Sequence, residues 1–173
     1  SEKYWNRDYQ LNDFTVDELI LGARLAGRLG NNKIRRWILR ELKKMYPLNP
    51  QVIYFGEFDS RLDALERLEM PDLESSCDAT ILSSWYASRA MSWAEVRDWA
   101  QADNYIKKAE DLQVDRSWIM TCKAFVHYMK DEWQEAYEIL IKEWNELPGM
   151  PFCGSLLGNV LSRLDRTEEV VKI

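Results

Sequence analysis

Histidine, cysteine and paired carboxylates are the side chains that most often carry out chemistry, and this chain uses the first two sparingly. His127 is the one histidine among 173 residues, and no nucleophile or metal-ligand partner is spaced to work with it. Its expected place is the interior, between helices. Cys77, Cys122 and Cys153 are three thiols with no CxxC spacing, which fits free thiols in a reducing, cytoplasmic compartment. Small buried hydrophobes are the expected role for Cys122 and Cys153. Neither HExxH, GxSxG nor a glycine-rich phosphate loop occurs, and acid pairs such as Asp131-Glu132 and Glu168-Glu169 sit where polar helix starts are expected. The expectation is therefore no enzyme activity, no metal and no cofactor.

Charge points elsewhere. Lys and Arg total 23 against 29 Asp and Glu, a net charge of −6, which argues against a phosphate backbone as partner. One basic stretch stands out: Lys33, Arg35, Arg36, Arg40, Lys43 and Lys44, offset by Glu41. Residues 57–78 answer it with eight acids (Glu57, Asp59, Asp63, Glu66, Glu69, Asp72, Glu74, Asp78) against two Arg. This pattern reads as a solvated convex face paired to its neighbour, or as a docking patch centred on Lys33, Arg36, Arg40 and Lys43. A nucleic-acid adaptor using the same helix is a third alternative.

The elements that would hold these residues are helices. Gly and Pro together are 12 of 173 residues, about 7% against about 12% in average usage. No run reaches 18 apolar residues. A period of 34 residues runs through the chain. Ala102 and Ala136 are 34 apart, Trp99 and Trp133 likewise, and a small residue recurs at Gly22, Gly56, Ala90, Ala124 and Gly158. Thr15 with Glu18 and Asp165 with Glu168 read as capping boxes, and Asp98 and Asp131 as N-caps. Pro47, Pro50, Pro148 and Pro151 fall at joints where helices should stop. These signals predict helices over 15–29, 32–46, 51–58, 60–69, 79–96, 99–113, 117–129, 132–146, 152–164 and 166–173, with a loop over 70–78.

The period and residues resemble the tetratricopeptide repeat. The third unit reads Tyr86, Ala90, Trp93, Ala102, Ile106, and the fourth Met120, Ala124, His127, Ala136, Leu140, Pro148; Leu21-Gly22-Leu25 and Leu157-Gly158-Leu161 carry the LGxxL form. The resemblance implies an all-α fold, a right-handed solenoid (superhelix) of antiparallel helix pairs. Residues 1–14 would be an N-terminal arm, followed by units at about 15–48, 49–82 (degenerate), 83–116, 117–150 and 151–173. The last unit stops part-way through its second helix, so the chain is expected to be cut from something longer. Arg89 and Lys123 replace the usual Leu and are expected to lean on neighbours with their aliphatic stems.

The resemblance also implies a function: a protein-protein interaction scaffold or adaptor that holds a partner peptide in its concave groove. The matching groove positions include Met91, Trp118, Thr121, Phe125, Tyr128, Met129, Asn159 and Arg163. Only Asn159 and Arg163 have the polar character of family members that clamp acidic tails, so an apolar or aromatic segment is the expected ligand. The alternative is the helical-repeat region of a larger enzyme, of glycosyl- or sulfotransferase type, with its catalytic residues outside this chain. Stacking of exposed ends leaves a homodimer open.

Overall fold

The computed structural model describes residues 11–49, 51–52, 55, 64–69, 73 and 77–170. Among them there are nine α-helices and no strand. After a short 3-10 turn at Leu11–Asp13 come α1 (Val16–Arg28), α2 (Asn32–Met45), α3 (Ala64–Glu69), α4 (Ala79–Glu95) and α5 (Trp99–Asp111). Then follow α6 (Arg116–Met129), α7 (Trp133–Glu146), α8 (Pro151–Arg163) and α9 (Thr167–Val170). Gln51, Val52 and Phe55 are also helical. The arm 1–10, Gly56, most of the acidic segment and residues 171–173 lie outside the described residues.

Helix starts follow local chemistry. Thr15 Oγ1 accepts from the Glu18 amide at 3.3 Å while Thr15 N donates to Glu18 Oε2 at 2.7 Å, so the capping box opening α1 is complete. Those bonds hold the Glu18 carboxyl below the usual carboxylate range. Asn31, Asp78 and Asp98 cap α2, α4 and α5 through their side-chain oxygens. Pro151 opens α8 at a position where its missing N–H costs nothing. Two expected caps fail. Glu132, not Asp131, precedes α7 and makes no side-chain cap bond. Asp165 lies two residues ahead of α9.

Asp131 and Asp165 have a different task. Arg97, Asp131 and Asp165 all take positive φ, at 63°, 63° and 56°, and they are spaced 34 residues apart. Each follows the end of a helix. The next amide then reaches back: Asp98 N to Trp93 O, Glu132 N to His127 O and Arg166 N to Leu161 O, at 2.9 to 3.0 Å. These are helix ends closed by a left-handed residue, which satisfies a carbonyl the helix leaves orphaned. Asp115 and Gly149, also 34 apart, take positive φ before α6 and α8. The backbone repeats with the period of the side chains.

Neighbouring helices pack in pairs: α1 with α2, α4 with α5, α6 with α7, and α8 with both α7 and α9. The turns between them are short, so paired helices run antiparallel. The recurring small residues fall on the first helix of each described pair: Gly22 on α1, Ala90 on α4, Ala124 on α6 and Gly158 on α8. Ala102 and Ala136 take the matching places on α5 and α7, and all four of these alanines are fully buried. The helix α4 also packs on α6, α3 and α1 and is buried nearly all round. Small side chains make that tolerable, and Ser83 and Ser92 return their hydroxyls to the carbonyls of Thr80 and Ser88.

Arg89 departs from expectation. Its head is buried as well as its stem: Nη1 donates to Arg67 O at 2.8 Å in the last turn of α3, and the guanidinium lies 4.9 Å from the Trp85 ring. A cation is favoured there because helix C-termini carry unpaired carbonyls and partial negative charge. Lys123 instead reaches Glu110 at 2.8 Å. His127 is also only part-buried, and its Nδ1 sits 2.6 Å from Glu132 Oε2 across the α6–α7 turn.

Candidate functional site

The site starts with two arginines one helical turn apart. Arg24 and Arg28 share a face of α1, and both reach Asp115, the residue before α6. Arg24 Nη2 lies 2.6 Å from Asp115 Oδ2, and its Nη1 donates to Thr80 O at 2.9 Å, tying α1 to the start of α4. Arg28 Nη2 donates to the same carboxylate oxygen. The Asp115 side chain is 4% exposed, and because its carboxylate is engaged in this way it makes no cap bond to α6. Two cations thus share one carboxylate.

Around this clasp is a cavity of about 350 Å³. Arg24, Gly27 and Arg28 of α1 and Asn32 and Arg35 of α2 form its basic wall. Ser84, Ser88 and Met91 of α4, Trp118 of α6, and Phe55, Met150, Pro151 and Phe152 line the rest. The Arg28 guanidinium lies 6.0 Å from the Trp118 ring and that of Arg24 lies 5.9 Å from Phe55, within cation–π range. The Trp118 and Phe152 rings pack with centroids 5.7 Å apart, tilted by 46°. Gly27 has a specific role here. A Cβ at that position would come within 2.8 Å of Arg35 Cδ, so a bare backbone lets the Arg35 stem lie across α1.

Of the expected groove residues, Met91 and Trp118 line this cavity. Phe125 packs against Phe152 at 6.2 Å, one layer away. Thr121 is fully buried and donates to Ser117 O at 2.9 Å. Tyr128 and Met129 are part-buried in the cores on either side of α6. Asn159 is exposed on α8, and Arg163 is exposed with its guanidinium 5.9 Å from Trp133; neither lines the cavity. Lys33, Arg36, Arg40 and Lys43 are exposed along α2, and Arg40 approaches Glu41 at 3.6 Å.

The chain matches no family model, no curated protein and no solved structure.

Among the described residues no group of three His, Cys, Asp or Glu is arranged to hold a metal ion, and no helix is long and apolar enough to cross a membrane. All three cysteines are free. Burial pushes the Cys122 thiol well up, with the nearby Asp115 charge adding to it and Arg28 and Arg24 opposing. Burial likewise raises Cys153, with the Thr121 hydroxyl opposing and the Glu143 charge adding to it. Thiols that stay protonated are poor nucleophiles. Glu143 is 1% exposed, with Oε1 accepting from Arg116 at 3.0 Å and Oε2 buried without a partner.

The arginines of the basic wall had no motif to announce them. Arg24 and Arg28 stand at i and i+4, a spacing that puts two cations on one face of α1. That spacing was the available signal. Their partner Asp115 is 91 residues from Arg24, and only folding brings the two together.

Proposed function

We propose that this chain is a non-enzymatic interaction scaffold built as a tetratricopeptide-like right-handed superhelix, which holds a partner peptide on its concave face. The observation that carries this reading is the cavity of about 350 Å³, lined by α1, α4, α6 and the start of α8, with Asn32 and Arg35 of α2 and Phe55 beside them. The first four of these elements are each the first helix of a pair, and in such a stack first helices line the inner surface. The 34-residue recurrence of left-handed helix ends supports the same architecture. A cavity of this size accepts side chains of a bound segment, and the Trp118 and Phe152 rings supply apolar area of the kind that anchors interfaces. Three free cysteines fit a cytoplasmic setting.

A random 12-residue peptide library displayed against the full 173-residue chain tests the proposal. Recovered peptides should lose at least tenfold in affinity on Trp118→Ala or Phe152→Ala, with helical circular dichroism unchanged. Peptides that bind both variants as tightly as the parent would refute the groove.

A further inference from the structure

Ser84, Trp118 and Phe152 stand 34 residues apart, like the small residues Ala90, Ala124 and Gly158 of the same helices, and all three line the cavity. On α6 and α8 this repeat position carries an aromatic ring, and the two rings pack with centroids 5.7 Å apart. On α4 it carries a serine, so the row lacks its third ring. Ser88, one turn on, and Met91 share that face of α4 and line the cavity too. Ser84 and Ser88 are 3% and 4% exposed, and among the described residues neither hydroxyl makes a hydrogen bond. Ser83 and Ser92 on the same helix show the usual alternative, a bond back to a helix carbonyl. For Ser84 the carbonyl one turn back is taken: Thr80 O already accepts from Ser83 Oγ and Arg24 Nη1. Buried hydroxyls without partners cost free energy that a ligand able to bond them recovers.

We infer that the partner peptide carries a tyrosine that completes this row. Its ring takes the place left open at Ser84 and packs on Trp118, and its hydroxyl bonds with those of Ser84 and Ser88. Tyrosine joins an aromatic body to a polar tip that both donates and accepts, which is what the two halves of the site ask for. Phenylalanine would extend the row and leave both serines unsatisfied. A serine or threonine would bond them and leave Trp118 uncovered.

This inference rests on the peptide-groove reading, and the same display selection separates the two. Recovered peptides should share a tyrosine, and exchanging it for Phe should weaken binding about threefold to tenfold, the usual worth of a neutral hydrogen bond. With Ser84→Ala and Ser88→Ala combined, the same exchange should cost nothing, because the phenol has lost its partners. Ser84→Phe supplies the missing ring from the protein itself and should weaken the tyrosine peptides at least tenfold, with helical circular dichroism unchanged. Should Ser84→Phe perturb folding, the Tyr-to-Phe exchange in the peptide still decides the matter with the protein untouched. Peptides that depend on Trp118 yet carry no tyrosine, or bind equally well with Phe in its place, would overturn this inference while leaving the groove in place. An equal Tyr-to-Phe loss against the parent and the double serine variant would do the same. Peptides indifferent to Trp118, or no recovery at all, would overturn both.

Discussion

Gly154 and Gly158 lie on the same helix, α8, four residues apart, yet Ala should act in opposite directions at the two sites. Each exchange gains the helix propensity of Ala over Gly, about 1 kcal/mol in a helix interior. At Gly158 the new Cβ would meet Val170 Cγ1 at 3.9 Å, an ordinary contact, so the gain is kept. At Gly154 it would fall 2.8 Å from Trp144 Cζ3 and 3.0 Å from Cη2. Carbon atoms rest at about 3.5–4.0 Å, so the indole must give way by roughly 0.7 Å. It is a rigid ring on α7, part-buried against α8, and overpacking of this sort costs about 1–3 kcal/mol. Gly154→Ala should therefore lose up to about 2 kcal/mol while Gly158→Ala gains up to about 1. In a chain of 173 residues each kcal/mol moves the melting midpoint by about 2–4 °C. Thermal and urea melts followed by far-UV circular dichroism read the difference. A double-mutant cycle with Trp144→Phe isolates its cause: without the outer ring, Gly154→Ala should become stabilising. Equal gains at both positions in the parent would refute the packing of Trp144 on α8.

Two further perturbations probe the clasp and the buried thiols. Asp115→Ala should cost about 3 kcal/mol, because Arg24, 12% exposed, loses its carboxylate. Asp115→Gly should cost about 1 kcal/mol less, since φ of 52° suits glycine but not alanine, and a urea midpoint within error of the parent for either would refute the clasp. Ellman's reagent at pH 8 should titrate Cys77, which is part-exposed, and reach Cys122 and Cys153 only on unfolding; three native-state thiols would contradict the burial. The folded-state pKa of Cys122 is raised, so stability falls as pH climbs past the ordinary cysteine value of about 8.5, where only the unfolded chain sheds the proton. Cys122→Ala should flatten that alkaline loss, by at most about 1.4 kcal/mol per pH unit.

Much of the helical order was legible from local signals. Boundaries of α1, α2 and α4 to α8 fall within two residues of the sequence reading, because caps and prolines act within one turn of chain and the 34-residue spacing marks where they recur. Asp131 and Asp165 were misread for a physical reason. Aspartate serves equally as an N-cap and as a left-handed turn residue, and sequence alone does not say which. His127 was expected in the interior between helices, but its imidazole meets Glu132 across a turn and stays part-exposed. Arg89 looked like a misfit in an apolar slot; the C-terminus of α3, whose placement is a tertiary fact, supplies its acceptor.

The candidate site divides the same way. Met91 and Trp118 were named as groove positions that the resemblance to the tetratricopeptide repeat implies. The basic wall was not. Arg24 and Asp115 meet across 91 residues, and the Arg35 side chain lies against Gly27 of a neighbouring helix. Periodicity and capping are short-range rules written along the chain, so they set which residues are helical and which faces turn inward. Which inward side chains share one cavity depends on how the helices lie against one another.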